Sequence, residues 1–132
     1  MKTYFVVASV IMHKGKILIL KKSKDDWNYP NCWSFCSGFV KEFESGEDTA
    51  EREIKEETGL KAKLTRKGKI FEAADKRNKK TWAIMPFLFK TNSSKVKLCN
   101  ENSEYKWIKI KELKNYKSVP GLEKDLKALG LI

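Results

Sequence analysis

Glu53, Glu56 and Glu57 stand at i, i+3 and i+4 in a segment of helix-forming residues. That spacing gathers three carboxylates within about 100° of one helix face. Bare, such a face is unfavourable. Glu53 and Glu57 repel as a like-charged i,i+4 pair by roughly 0.2–0.5 kcal/mol. Glu56 and Glu57 also stand in the last turn, where the helix dipole is negative, at a cost of about 0.3–1 kcal/mol. Only Arg52 offers a positive charge on that flank. A hard divalent cation resolves the conflict, because magnesium binds carboxylate oxygens, keeps several waters and is commonly shared with substrate phosphates. The plainer alternative is a solvated acidic face, and the helical wheel alone leaves it open.

The charge distribution sharpens the question. Gly38–Leu60 holds eight acids and three bases, a local charge of −5 in a chain of 132 residues whose net charge is +11. The other 109 residues therefore carry +16. A basic exterior attracts anions, and a small polyphosphate or a nucleic acid both satisfy it.

Those carboxylates need a frame. Thr3–Met12 is rich in Val, Ile, Tyr and Phe and reads as a strand, with a turn at His13–Lys16 and a second, hairpin-paired strand at Ile17–Leu20. Ser23–Asn31 is a polar loop, and Trp33–Ser37 a short apolar piece ending at Gly38. Glu47–Thr58 contains no Gly or Pro and is stopped by Gly59, as a helix should be. Ala62–Glu72 and Thr81–Lys90 are strand candidates around the polar loop Asp75–Lys80, and Tyr105–Ile110 alternates as a further strand. Leu122, Leu126 and Leu129 mark a C-terminal amphipathic helix, with Ser118 as its cap and Gly130 as its end. This order suggests one α/β domain over residues 1–132, a central sheet covered by helices.

Gly38, Glu44 and the run Arg52-Glu53-Ile54-Lys55-Glu56-Glu57-Thr58-Gly59-Leu60 fall at the spacing of the Nudix box, and the chain resembles the Nudix hydrolases, MutT-like members among them. Lys21-Lys22 after the first hairpin, Trp33 before the box, and Glu104–Ile108 with Glu112-Leu113 add to the likeness. The resemblance implies an α/β/α sandwich around a mixed sheet. It implies hydrolysis of a nucleoside diphosphate linked to another group, most readily a nucleoside triphosphate. Dinucleoside polyphosphates and ADP-ribose are the alternative substrates. Mg²⁺ would be the cofactor, with Mn²⁺ as a substitute. By position, Glu53, Glu56 and Glu57 would be the metal ligands, joined by the Gly38 carbonyl, with Glu44 and Arg52 orienting them. Glu53 is the first choice of general base, and Glu101 or Glu104 is the reserve base or ligand. The chain departs from the common pattern where Cys36-Ser37 replaces Pro-Gly and Lys41-Glu42-Phe43 replaces Glu-Pro-Gly.

Trp27 and Tyr29, aromatics in a polar loop, are candidates for stacking on a nucleobase, with Phe71 and Trp82 behind them. Trp33, Phe87, Phe89 and Trp107 read as core. Cys36 reads as a small buried side chain. Three cysteines, an odd number, and no cleavable leader suggest reduced thiols in a cytoplasmic protein. No apolar run reaches the ~18–20 residues of a membrane span. The partner expected is a small nucleotide. A non-catalytic module that docks on RNA is the rival class, and the complete glutamate set argues against it.

Overall fold

The computed structural model describes residues 2–77 and 79–132, so Asn78 of the expected loop lies outside the described residues. Strands β1 (Lys2–His13), β2 (Lys16–Lys22), β3 (Trp33–Ser34) and β4 (Cys36–Phe39) precede helix α1 (Gly46–Thr58). Strands β5 (Ala62–Lys67), β6 (Phe71–Asp75), β7 (Lys80–Thr91) and β8 (Asn102–Ile108) follow, then a 3₁₀ turn (Ile110–Asn115) and helix α2 (Leu122–Ala128). All eight strands join one sheet, along the path β3-β2-β1-β7-β5 with β4 on β1, β6 on β7 and β8 on β2. The long β1–β7 pairing is parallel and the rest antiparallel, so the sheet is mixed.

The β1–β2 hairpin follows from its turn. His13 pairs with Lys16, and the two residues between, Lys14 and Gly15, both take positive φ (50° and 77°). A two-residue loop needs that conformation to match the strands' twist.

Alternation along β1 divides the core. Val7 and Ile11 point to one face, where they pack with Leu18, Leu20, Phe87 and Phe89 against Ala50 and Ile54 of α1. Val10 points to the other, with Ile17, Ile19 and Leu88 against Leu122, Leu126 and Leu129 of α2. One helix covers each face, as the α/β/α expectation required. Among the described residues no helix is long and apolar enough to cross a membrane.

Two local expectations are corrected. The strand expected over Ala62–Glu72 is two strands that break at Gly68. A Cβ at Gly68 would lie 2.8 Å from Pro86 Cγ and 2.9 Å from the Ala128 carbonyl oxygen, so the chain squeezes between β7 and α2 there. Ser118 does not cap α2. Its hydroxyl donates to the Tyr116 carbonyl, and the residue before the helix is Gly121 at φ 96°. Gly130 does end the helix, at φ 70°.

The altered loop before α1 carries a measurable strain. Phe43 stands where the common pattern has glycine, takes φ 66° and is fully exposed. A left-handed backbone costs an L-residue about 1–2 kcal/mol, and no burial of the ring offsets it. Phe43→Gly should therefore raise stability by about 1 kcal/mol in denaturant melts.

Candidate active site

Helix α1 is fixed at both ends before its glutamates are placed. Ser45 Oγ accepts from the Asp48 N–H at 3.1 Å, and the Asp48 carboxylate accepts from the Ser45 N–H at 3.3 Å, a reciprocal capping box. Gly59, at φ 68°, closes the C-terminus by donating to the Lys55 carbonyl at 3.0 Å. Ala50 and Ile54 then press the helix onto the sheet and fix its rotation.

That rotation turns the three glutamates to different depths. Glu57 is only 5% exposed, the Glu53 side chain 13%, and the Glu56 side chain 57%. Glu53 lies against β4, where a Cβ on Gly38 would overlap its carboxyl end. Glycine is required at position 38 for that approach. Glu57 reaches inward, where Cys36 Sγ donates to its Oε2 and Asn102 Nδ2 to its Oε1, both at 3.4 Å. Burial, reinforced by a hydrogen bond with Glu53 and by the Glu53 charge, pushes the Glu57 carboxyl up to about 9. Burial and the charge of Glu57 likewise push the Cys36 thiol up, so it stays a protonated donor.

Arg52 organises the outer half. Its Nε and Nη2 donate to the two oxygens of Glu44 at 2.7 and 3.0 Å, a bidentate pair. Its Nη1 donates to Glu53 Oε1 at 2.7 Å and to Glu56 Oε2 at 3.3 Å. Glu44 is held further by the Thr49 hydroxyl at 2.7 Å. The hydrogen bonds from Arg52 and then Thr49 pull the Glu44 carboxyl down to about 2. Glu44 is thus a fixed negative charge that positions Arg52, and Arg52 orients Glu53 and Glu56.

The donor set fits a hard divalent cation, being carboxylate oxygen throughout. Glu57, desolvated beside a second carboxyl, is favoured in its protonated form. Among the described residues no three carboxylate, thiol or imidazole groups converge at ligand geometry, since Glu53 and Glu56 are turned onto Arg52. Glu56, being mostly exposed, is free to swing away from it.

The reserve candidates separate. Glu101 stands beside the cluster, close enough for its charge to raise Glu57 further. Glu104 is paired with Lys21, Nζ to Oε2 at 3.2 Å. In register Lys21 shares the α2-side face with Ile17 and Ile19, so Glu104 points away from α1. Asn102 and Cys36, which hold Glu57, have no sequence signal of their own beyond Cys36 standing two residues before Gly38.

The stacking candidates are also sorted. Trp27 is 71% exposed, and Lys80 Nζ lies 4.6 Å from its ring centroid. The same ammonium lies 5.7 Å from Tyr4 and 6.0 Å from Trp82, whose rings stack at 5.1 Å. Phe39 completes the group, edge-on to Tyr4 at 5.8 Å. Tyr29 is tied in through its backbone, its N–H donating to Asp26 Oδ2 at 2.7 Å. Phe71 lies half-buried on β6, and Trp33, Phe87 and Phe89 are buried as expected. Trp107 packs half-buried at the edge of the α1-side core, its indole N–H donating to the Ser94 carbonyl at 2.8 Å.

The site is thus a capped glutamate helix set against a glycine on β4, in a mixed sheet between two helices. The NUDIX domain family model matches residues 3–129, and the chain belongs to that family. Over the full length of both chains it is 28% identical to the nucleoside triphosphatase NudI of Klebsiella pneumoniae (strain 342). The MutT protein of Methanosarcina mazei Go1 superposes with a TM-score of 0.78 at 23% identity, covering 94% of this chain and 89% of that one. A NUDIX hydrolase from Nitrosomonas europaea superposes at 0.81 with 19% identity, covering 96% and 87%.

Proposed function

We propose that this chain hydrolyses a phosphoanhydride bond of a nucleoside triphosphate, with Mg²⁺ held by Glu53, Glu56, Glu57 and the Gly38 carbonyl and Mn²⁺ as its substitute. The observation that carries the reading is Glu57, a buried carboxyl packed beside Glu53 with Arg52 as the nearby cation. The resemblance at full length to a nucleoside triphosphatase supports the choice of substrate class. When bound, the divalent ion supplies Lewis-acid polarisation of a phosphoryl oxygen and offsets the charge that develops there.

The chain's own residues do the rest. Arg52 fixes one oxygen of Glu53 and so sets the direction of this carboxylate, the first choice of general base. Glu44 keeps Arg52 from collapsing fully onto the metal-binding carboxylates. Cys36 and Asn102 hold the Glu57 carboxyl in place. Lysines on the surrounding surface favour approach of a polyphosphate.

The test is a hydrolysis panel at mildly alkaline pH with Mg²⁺: nucleoside triphosphates, ADP-ribose, dinucleoside polyphosphates and capped RNA, with products identified. The expected result is cleavage of a triphosphate, abolished by EDTA and restored by Mn²⁺. Cleavage of ADP-ribose or a dinucleoside polyphosphate in its place would reassign the substrate. No cleavage, together with RNA binding that weakens steeply with salt, would make the chain a binding module.

A further inference from the structure

Much of the chain's positive charge is gathered at one end of the sheet. Residues 60–71 and 85–100 hold β5, the second half of β7 and the loops beside them. They contain eight Lys and Arg and no Asp or Glu. The chemistry proposed for the glutamates does not use this end.

Its geometry follows from the strand register. β5 runs antiparallel to β7, with Ala62 opposite Thr91 and Lys63 opposite Lys90. Side chains directly opposite on neighbouring strands share a face, with Cβ atoms about 4.5–5.5 Å apart, and like charges so placed repel. Between the start of β5 and the loop that leaves β7 the surface opens into a cleft of about 610 Å³. Lys61, Lys63, Lys90 and Lys95 line it, and no acid does. All four are exposed, and among the described residues none of them is paired with a carboxylate. Lys97 stands next to them, its Cβ 3.4 Å from where a Cβ on Gly59 would lie.

The backbone that carries these lysines is tied across the cleft. The Thr91 hydroxyl donates to the Lys61 carbonyl at 2.9 Å, and the Lys95 N–H donates to Ser93 Oγ at 3.2 Å. The segments therefore cannot move apart to relieve the repulsion, which leaves side-chain swing or a bound anion to do so. Lysines on an edge strand also discourage edge-to-edge pairing, and that accounts for Lys63. It does not account for Lys90, since β7 lies inside the sheet between β1 and β5, nor for Lys95 on the loop.

The surroundings decide the class of anion. No aromatic ring lines the cleft, so a nucleobase has nothing to stack on. Further along β5 the cations are engaged, Arg66 with the Leu129 carbonyl and Lys67 Nζ with Glu47 Oε2 at 3.0 Å. The free ammonium groups are thus clustered at the cleft rather than strung along the strand. A nucleic-acid strand wants a charged track with stacking platforms. A compact anion with several charges on adjacent groups matches a cluster.

We propose that this cleft is a second anion site, apart from the glutamates and independent of metal, that takes a compact chain of phosphates. Inorganic tripolyphosphate and the triphosphate tail of a nucleotide share that chemistry.

Calorimetry on the full chain, in metal-free and phosphate-free buffer at about 50 mM salt, tests this. Tripolyphosphate should bind at a single site. Lys63→Gln combined with Lys90→Gln should weaken it by about tenfold or more. Lys2→Gln combined with Lys76→Gln removes the same charge near the far end of β7, where Lys2 pairs with Lys80. That control should change the affinity by less than about twofold. GTP and ATP should lose affinity alike in the cleft variant if a nucleotide's tail is also taken, and should be unaffected by it if the ligand is the free inorganic chain. An oligouridylate of equal charge should bind more weakly than tripolyphosphate. Tighter binding of the oligonucleotide, an equal loss in the two double variants, or no binding of tripolyphosphate by the wild type would each overturn the proposal. No turnover is needed, so a chain without hydrolysis leaves this site standing, and an empty cleft leaves the hydrolase reading standing.

Discussion

Glu56→Gln is expected to lower turnover by about 100-fold or more while the protein melts within a few degrees of wild type. Glu56 is the most exposed of the three glutamates, and its carboxylate accepts from Arg52 Nη1 at 3.3 Å. Exposed pairs of this kind contribute about 0–1 kcal/mol, so stability hardly notices the change. Glutamine keeps the shape and removes the charge. On the function proposed above, it removes a hard anionic ligand from a cation that would offset the charge on a phosphoryl group, an effect of several kcal/mol. Each 1.36 kcal/mol is about tenfold in rate. Steady-state kinetics at saturating Mg²⁺ beside a thermal melt separates the two effects. A variant that turns over near the wild-type rate would remove Glu56 from the chemistry.

The glutamate helix was legible because its information is local. The i, i+3, i+4 spacing and the glycine stop at Gly59 lie within one segment, and the observed helix agrees with the expected one within a residue. The depths of the glutamates were not local. Glu56 and Glu57 are neighbours in sequence, yet one is exposed and the other buried, because β4 and Asn102, the latter 45 residues further on, close over Glu57. The ring cluster was hidden for the same reason. Tyr4, Phe39 and Trp82 come from three strands, and only the register of β1 with β4 and β7 gathers them. The wheel that picks out Leu122, Leu126 and Leu129 also places Asp125 beside their arc, and the structure buries it there. Phe43 did have a sequence signal, since a bulky residue replacing glycine before the helix foretells a strained turn.

Metal affinity should rise with pH, and the cause is Glu57. Its carboxyl ordinarily titrates near 4.5 and is pushed up to about 9 by burial and by Glu53. The metal-free folded chain therefore carries a proton there across the neutral range, whereas the unfolded chain does not. The sign follows from linkage: the stability tied to this group is fully present below about 4.5 and is lost as pH rises through about 9. A cation that binds the ionised carboxylate must expel that proton. Affinity for Mn²⁺ should then strengthen by about tenfold per pH unit through the neutral range, levelling off as the pH passes about 9. Thermal melts in EDTA should show a Tm that falls over the same interval, and the rise in Tm on adding Mg²⁺ should grow as it does. Glu57→Gln cannot release the proton, so it should flatten both trends, and without metal it should be more stable than wild type at alkaline pH. Mn²⁺ affinity that stays constant from about pH 6 to 9 would mean that no buried proton is displaced, and Glu57 would then be no ligand.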